Sequence, residues 1–266
     1  MNILITGKNG FIGKELTDFF SETEHTVYST CRKTLDVSDI DQVDGFFGEN
    51  DIDVVLHTAI VGGRRMDHDT FDDFITNLNM FYNLYQCISD KQLLISFGSG
   101  AECRTDTYYG LAKNIINQEI QKINNAVNLR LYGCFGSSEA DGRFIKSAYA
   151  CALNNQPIVV HQNKYMDYLY VGDLKKITRY YVENFFKMPL PKSLDLCYNE
   201  KITLFQIANE IKNLTNSNNM IIMNEKEFDS PYTGSGTELS NLDIGLCGLY
   251  PGIKQTIKEL EIINNG

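Results

Sequence analysis

The sequence predicts an α/β protein: a doubly wound parallel sheet followed by a small C-terminal lobe interwoven with it. Two observations carry that prediction. The first half of the chain alternates short, nearly continuous apolar runs with longer segments of helical period, as strands do when helices cover both faces of their sheet. The first apolar run, Asn2-Ile3-Leu4-Ile5-Thr6, then passes straight into a glycine-rich turn that opens a helix, the start of a right-handed βαβ unit. Composition agrees, because 43% hydrophobic and 22% charged residues in a chain of 266 is ordinary globular usage.

Strands are expected at residues 2–6, 26–30, 53–57, 92–97 and 126–131, with helices near 11–20, 38–48, 70–89 and 108–124. In the third helix Phe71, Phe74, Ile75, Leu78, Tyr82 and Tyr85 recur at helical spacing and read as a packing stripe. After about residue 140 the rhythm loosens. A helix (143–154), strands (157–160 and 167–171), a helix (173–186), a strand (194–198), a helix (203–214) and a strand (219–223) are expected. A Gly/Ser-rich loop over 232–237 precedes a last helix near 251–263, opened by Pro251 after Gly248. No Pro/Gly/Ser-rich hinge separates the halves, so the expected division is 1–140 for the sheet domain and 141–266 for a mixed segment holding the small lobe and sheet-completing elements.

Asp and Glu outnumber Lys and Arg by 34 to 24, a formal charge of −10. That excludes a broad nucleic-acid or anionic-membrane surface, and an anionic small ligand must be met by local donors. The seven cysteines are odd in number and include no CxxC pair, which reads as reduced thiols in a cytoplasmic protein. The four histidines show no HxxxH or HExxH spacing, so no metal site is expected. The chain begins in a strand without a signal-like leader and holds no run of about 18 apolar residues, so neither export nor a membrane span is expected.

Strand 2–6 leads into Gly7-Lys8-Asn9-Gly10-Phe11-Ile12-Gly13, a GxxGxxG spacing. A chain that must turn sharply off a strand, let a pyrophosphate reach backbone N–H groups and pack a helix tightly needs residues without Cβ at those points. The helix N-terminus then meets the phosphates with partial positive charge. The turn is therefore read as a dinucleotide site with Gly7, Asn9, Gly10, Phe11, Ile12 and Gly13 as contacts; the plainer alternative is a glycine-rich turn without a ligand. Strand 26–30 runs into Cys31-Arg32-Lys33. A carboxylate there would bond a ribose 2′-hydroxyl, whereas Arg32 suits a 2′-phosphate. NADP(H) is the expected cofactor, NAD(H) the alternative, and two solvated cations the bland reading.

The glycine loop resembles that of the extended and atypical short-chain dehydrogenase/reductases, the NAD-dependent epimerase/dehydratase family, which uses GxxGxxG. The resemblance implies a Rossmann-like sheet. It also implies adenine contacts at Asp36 and Val37, cofactor contacts at Thr58 and Ala59, and a sheet-supporting role for Asn77.

Strand 92–97 is followed by Gly98-Ser99-Gly100-Ala101, and Tyr109-Gly110-Leu111-Ala112-Lys113 forms YxxxK at the start of the next helix. The motif alone is weak, since about one match is expected by chance and Tyr250…Lys254 is another. Position decides for Tyr109, because its helix follows the strand that leads to Ser99. An i,i+4 pair shares one helix face, so the Lys113 ammonium can lie beneath the phenol and lower its pKa from about 10. Ser99 and Tyr109 would together polarise a carbonyl for hydride attack, and Lys113 would also hold the nicotinamide ribose. An ordinary helix-face tyrosine is the competing reading, with Tyr108 the confounder if the register slips.

Within the family the chain most resembles GDP-fucose synthase and related nucleotide-sugar 4-reductases. The resemblance rests on Arg32, the stretch from Asp53 to Gly62-Gly63, the Ser99/Tyr109/Lys113 set, the segment 167–173 and the segment from Phe228 to Pro231. The Asp-Glu pair of the dehydratases is replaced by Gly100 and Ala101. The Cys and His of the 3,5-epimerase/4-reductases are replaced by Ala101 and Arg143. Gly133 stands where an Asn often helps to hold the sugar or pyrophosphate. The spacing from Ser99 to Tyr109 is only ten residues, shorter than is usual in the sugar-nucleotide branch.

The resemblance therefore implies an oxidoreductase: NADPH-dependent reduction of the 4-keto group of a nucleotide-linked sugar in polysaccharide precursor synthesis. Residues 1–140 would bind NADP, and the C-terminal lobe would bind substrate together with Ser99, Gly100 and Tyr109. Arg143 and Lys164 are candidates for the diphosphate, or else solvated surface charges. A homodimer through helices 70–89 and 108–124 is implied. A nucleotide-sugar 4-epimerase retaining NAD and a non-catalytic NADP-sensing protein remain open.

Overall fold

The structure, a computed structural model, describes residues 1–63, 68–224 and 229–265; Phe228, at the head of the segment 228–231, lies outside them. In chain order the elements are β1 (Asn2–Thr6), α1 (Phe11–Ser21), β2 (Thr26–Ser29), α2 (Ile40–Glu49), β3 (Val54–His57), α3 (Phe71–Cys87), β4 (Leu93–Ser99) and a 3-10 turn (Gly100–Cys103). Then come α4 (Tyr108–Lys122), β5 (Ala126–Leu131), β6 (Cys134–Phe135), α5 (Phe144–Leu153), β7 (Ile158–Val160), β8 (Leu169–Tyr170) and α6 (Val171–Asn184). The chain closes with β9 (Ser193–Leu196), α7 (Leu204–Leu214), β10 (Ile221–Met223), α8 (Thr237–Ser240) and α9 (Leu249–Asn265).

The chain divides into two compact units. The first comprises Met1–Leu131 and Thr178–Leu194. Its sheet has the order β2-β1-β3-β4-β5-β9, with parallel pairing from β2 through β5. This is the doubly wound parallel α/β fold expected of a Rossmann-like protein. The winding reverses between β1 and β3, so a crevice opens beyond the carboxyl ends of those strands, where ligands bind in such sheets. Side-chain caps set the helix starts: Asp39 accepts from Asp41 and Gln42 N–H on α2, Thr70 and Asp73 form a capping box on α3, and Thr107 accepts from Gly110 N–H on α4.

The core of this unit collects Leu4, Val55 and Leu94 of the sheet with Val43, Met80, Phe81, Leu84, Ile116 and Ile120 of the helices. The α3 stripe matches the expected one in part, with Leu78, Tyr82 and Tyr85 packed against this core. Its buried apolar residues are Met80, Phe81 and Leu84, while Phe71 and Ile75 stand outward, 56% and 37% exposed. Two buried asparagines interrupt the apolar face, each answering backbone: Asn77 bonds both N–H and C=O of Val61, and Asn83 donates to the Val37 carbonyl.

The second unit comprises Tyr132–Ile177 and Asp195–Gly266. Two short parallel pairs, β6 with β8 and β7 with β10, are joined by helices α5, α7 and α9 over a core that includes Phe135, Ile145, Tyr149, Ile158, Ile207, Ile211, Ile253 and Ile257. Asp167 and Asp173, at the two ends of the 167–173 segment, are structural anchors. Asp167 accepts from Lys201 Nζ at 2.7 Å and Gly234 N–H at 2.8 Å. Asp173 is fully buried and accepts from the Tyr198 hydroxyl at 2.7 Å and from the Cys247 and Gly248 N–H groups at 2.7 and 2.9 Å. Gly133 fits closely: a Cβ there would lie 2.9–3.0 Å from the Tyr168 ring and the Asp167 carbonyl, so an Asn at this position would force the backbone apart.

Candidate cofactor and catalytic site

The glycine turn has the shape a pyrophosphate needs. Gly7 has a positive φ of 75°, and a Cβ on it would sit 2.8 Å from the Ala59 backbone. A Cβ on Gly13 would strike the Gly7 carbonyl and lie 2.6 Å from Thr58 Oγ1. Both glycines thus bring the start of α1 against the ends of β1 and β3. Gly10 is the N-cap of α1 and makes no side-chain cap bond, so the first-turn N–H groups of Phe11, Ile12 and Gly13 carry no capping side chain, as an anion-binding helix start requires. The residues present fit a dinucleotide.

Thr58 and Ala59 close the other side of the crevice. Thr58 donates to the Thr6 carbonyl, and Ala59 N–H donates to Thr6 Oγ1 at 3.2 Å. Beyond β2, Lys8 N–H donates to the Thr30 carbonyl at 2.9 Å, placing Lys8 beside the Cys31-Arg32-Lys33 turn. The Lys8 charge is one of the smaller influences that lower the Cys31 thiol, whose main cause is its hydrogen bond with the Lys33 backbone. Arg32 is 73% exposed, and its Nε donates to Asp36 Oδ2 at 3.0 Å. Asp36 is held below the usual carboxylate range by its Ser38 and Arg32 hydrogen bonds. Val37 is buried in the core. Lys8 is a cation that the glycine spacing alone did not single out.

Strand β4 runs through Ser99, so the hydroxyl is presented by the last residue of a central strand. Ser99 also caps the 3-10 turn: its Oγ accepts from Ala101 N–H at 3.2 Å, and its own N–H donates to Glu102 Oε1 at 2.9 Å. Gly100 is buried at the head of that turn. Tyr109 stands in the first turn of α4 and Lys113 one turn later. Lys113 Nζ lies 6.0 Å from the Tyr109 ring centroid and donates to the Phe97 carbonyl of β4 at 2.7 Å. The structure thus ties Lys113 to both Tyr109 and the strand that ends in Ser99. Burial pushes the Lys113 pKa down to about 8, and the Glu102 charge opposes that fall.

His57 closes β3, with its ring 3.0 Å from Thr6 Oγ1. Burial and then the Lys113 charge hold its pKa down to about 3, so it is neutral at physiological pH. Gly63 packs on the phenol from the loop after β3; a Cβ there would be 2.8–2.9 Å from the Tyr109 ring. Its N–H donates to Asp69 Oδ1 at 2.7 Å, and Asp69 Oδ2 accepts from Tyr109 N–H at 3.4 Å. Neither Asp69 nor Glu102 carried a signal in the motif spacing.

Arg143 and Lys164 belong to the second unit, and both answer carboxylates. Arg143, the N-cap of α5, donates to Glu139 at 2.8 Å, and Lys164 lies 3.3 Å from Asp229. Burial pushes Glu139 up to about 6. Tyr250 lies in α9 of this unit, with its hydroxyl 3.5 Å from Glu200. The second YxxxK match thus belongs to a different unit from the strand that presents Ser99. Among the described residues no cluster of three or more His, Cys, Asp or Glu could hold a metal, and no helix is long and apolar enough to cross a membrane.

Several solved structures share this fold. A GDP-L-fucose synthetase from Naegleria fowleri bound to NADP superposes with a TM-score of 0.80 at 18% identity, over 99% of this chain and 93% of that one. A UDP-glucose 4-epimerase from Thermus thermophilus in complex with NAD gives 0.79 at 16% identity, over 98% and 99%. A dTDP-4-dehydrorhamnose reductase from Bacillus anthracis in complex with NADP gives 0.78 at 17% identity, over 97% and 98%. With residues 3–197 matching the NAD dependent epimerase/dehydratase family, and with the glycine crevice and its strand order in place, the chain belongs to that family.

Proposed function

We propose that the protein is an NADPH-dependent reductase of the 4-keto group of a nucleotide-linked sugar. The observation that carries this reading is the buried Lys113 ammonium, held on the Phe97 carbonyl at 2.7 Å and set 6.0 Å from the Tyr109 ring centroid. An uncompensated lysine is costly to bury, and this one lies where a phenol needs a cation. Gly7, Asn9, Gly10, Phe11, Ile12 and Gly13 would hold the pyrophosphate, Asp36 and Val37 the adenine, and Thr58, Ala59 and Lys113 the nicotinamide half. Lys8 and Arg32 would face a 2′-phosphate.

The bound cofactor supplies a hydride equivalent to the ketone carbon. Tyr109 gives its phenolic proton to the oxygen of that carbonyl, making the secondary alcohol, and takes a proton back from solvent. Ser99 hydrogen-bonds the same oxygen beside Gly100, and Lys113 keeps the phenol acidic enough to exchange its proton near neutrality. Arg143 and Lys164 are assigned to the substrate diphosphate, which would replace Glu139 and Asp229 as their partner. The two long helices, α3 and α4, would pair a second copy of the chain. The reduced sugar nucleotide would feed glycan assembly in the cytoplasm.

Arg32 already answers Asp36 at 3.0 Å. That contact favours the second reading, a 4-epimerase that retains NAD, because it leaves the cation less available for a 2′-phosphate. The test is cofactor oxidation, with NADPH and NADH side by side, against GDP-, dTDP-, UDP- and CDP-linked 4-keto-6-deoxy sugars. Net NADPH consumption with one nucleotide series is expected. Interconversion of plain nucleotide sugars without net consumption would replace the reductase by the epimerase.

A further inference from the structure

Glu102 sits where the elements carrying Ser99, Tyr109 and Lys113 meet. Its side chain is 2% exposed, yet it belongs to a four-residue turn after β4. Oε1 accepts from Ser99 N–H at 2.9 Å and Asn128 Nδ2 at 3.1 Å. Oε2 accepts from Arg130 Nε at 2.8 Å and Asn128 Nδ2 at 3.0 Å. The Glu102 carbonyl accepts from Asn114 Nδ2 at 3.0 Å, one residue beyond Lys113 on α4. Asn128 also donates to Asn117 Oδ1 of α4 at 3.1 Å, and Arg130 to Ser193 Oγ at 3.1 Å. Gly98 leaves the room: a Cβ there would run into Glu102 Oε1 and Asn128.

A carboxylate removed from water costs several kcal/mol unless donors and a cation replace the solvent, and here both are supplied. Its carboxylate ties the Ser99 N–H of β4 to Asn128 and Arg130 of β5, and α4 joins through Asn117 on Asn128 and Asn114 on the Glu102 carbonyl. We propose that Glu102 is a positioning residue of this site: it clamps the Ser99 end of β4 to β5 and α4, and supplies the buried negative charge that accompanies the Lys113 ammonium.

Among the described residues, three titratable groups act on Lys113 or lie against it: Glu102, His57 and Tyr109. Glu102 comes from the turn, where Arg130 of β5 is its partner, His57 from β3 and Tyr109 from α4 itself. His57 is neutral, and the Glu102 charge opposes the fall of the Lys113 pKa that burial causes. Without it, the Lys113 pKa would fall further and Tyr109 would face a smaller share of charged lysine.

The proposal rests on the reductase reading for its kinetic consequence only, and two variants of the full chain test it. Glu102→Gln removes the charge. Glu102→Asp keeps the charge but draws the carboxylate back from Ser99 N–H by about one methylene. The Lys113 midpoint is read by lysine-labelled NMR on the cofactor-free protein, with Lys113→Met assigning the resonance. In Glu102→Gln it is expected to fall by about one pH unit, while in Glu102→Asp it stays in place. Both variants are expected to lose about tenfold or more in kcat with little change in substrate KM.

A Glu102→Gln protein that keeps the wild-type midpoint and a kcat within about twofold overturns the proposal. Should that variant not fold, an unchanged kcat in Glu102→Asp overturns it. Should the wild type reduce no 4-keto sugar, the reductase reading fails by itself, and the Lys113 midpoint of Glu102→Gln still decides the role of Glu102.

Discussion

Lys113 shows how one buried group joins stability to chemistry. Its pKa of about 8 lies below the ordinary 10.5 because burial disfavours the ammonium. A lysine depressed in the fold weakens the folded state at neutral pH, and that penalty fades as pH rises from about 8 past 10.5. Lys113→Met is therefore expected to abolish turnover at pH 7 without loss of fold stability. The wild type should then gain on the variant by about 3 kcal/mol as pH rises through that window, which denaturant titrations at several pH values would check. A constant difference would mean that Lys113 is not depressed. The pairing of Tyr109 with Lys113 was legible in the YxxxK spacing because helix geometry fixes what lies one turn away. Glu102 was not, because its partners Asn128 and Arg130 come from a strand more than twenty residues on, and no local period records that meeting.

At the scale of elements, strands and helices in the first unit were legible because the apolar runs and capping residues agree: Asp39, Thr70 and Thr107 each stand at a helix start. The second unit was less so. β6 is two residues long, and β8 passes directly into α6 at Val171, two residues before the expected helix start. Elements that short have no period to read, and tertiary contacts such as those of Asp173 define them. The start of α5 carries its own prediction. Glu139 is 6% exposed and titrates at about 6 instead of 4.5 because of burial. A carboxyl raised in the fold contributes stability that is present below about pH 4.5 and lost as pH rises through about 6. Glu139→Gln should thus gain about 2 kcal/mol relative to wild type between those limits, measured by chemical denaturation at pH 4.5 and 7. If the two proteins instead track each other, Glu139 is not perturbed.

For the whole molecule, the parallel pairing follows from the alternation of apolar runs and helical segments, and the glycine turn marks the point where the winding reverses. The α3 stripe was right for Leu78, Tyr82 and Tyr85, which pack on the core, but not for Phe71 and Ile75, which stand outward, because helical spacing alone does not mark where the buried face ends. Phe71 instead packs edge-on with Tyr108 of α4, ring centroids 5.9 Å apart, on an exposed face. If that face pairs two copies, sedimentation should give a dimer for the wild type and a monomer for Phe71→Asp; a wild-type monomer at micromolar concentration would remove the dimer from the account. The central claim is that Tyr109 donates the proton in carbonyl reduction, and Tyr109→Phe tests it most directly when kcat and NADPH affinity are measured on the same preparation. The account expects turnover to fall by about a hundredfold or more with cofactor affinity unchanged. A Tyr109→Phe enzyme that still reduces its substrate at the wild-type rate would contradict it.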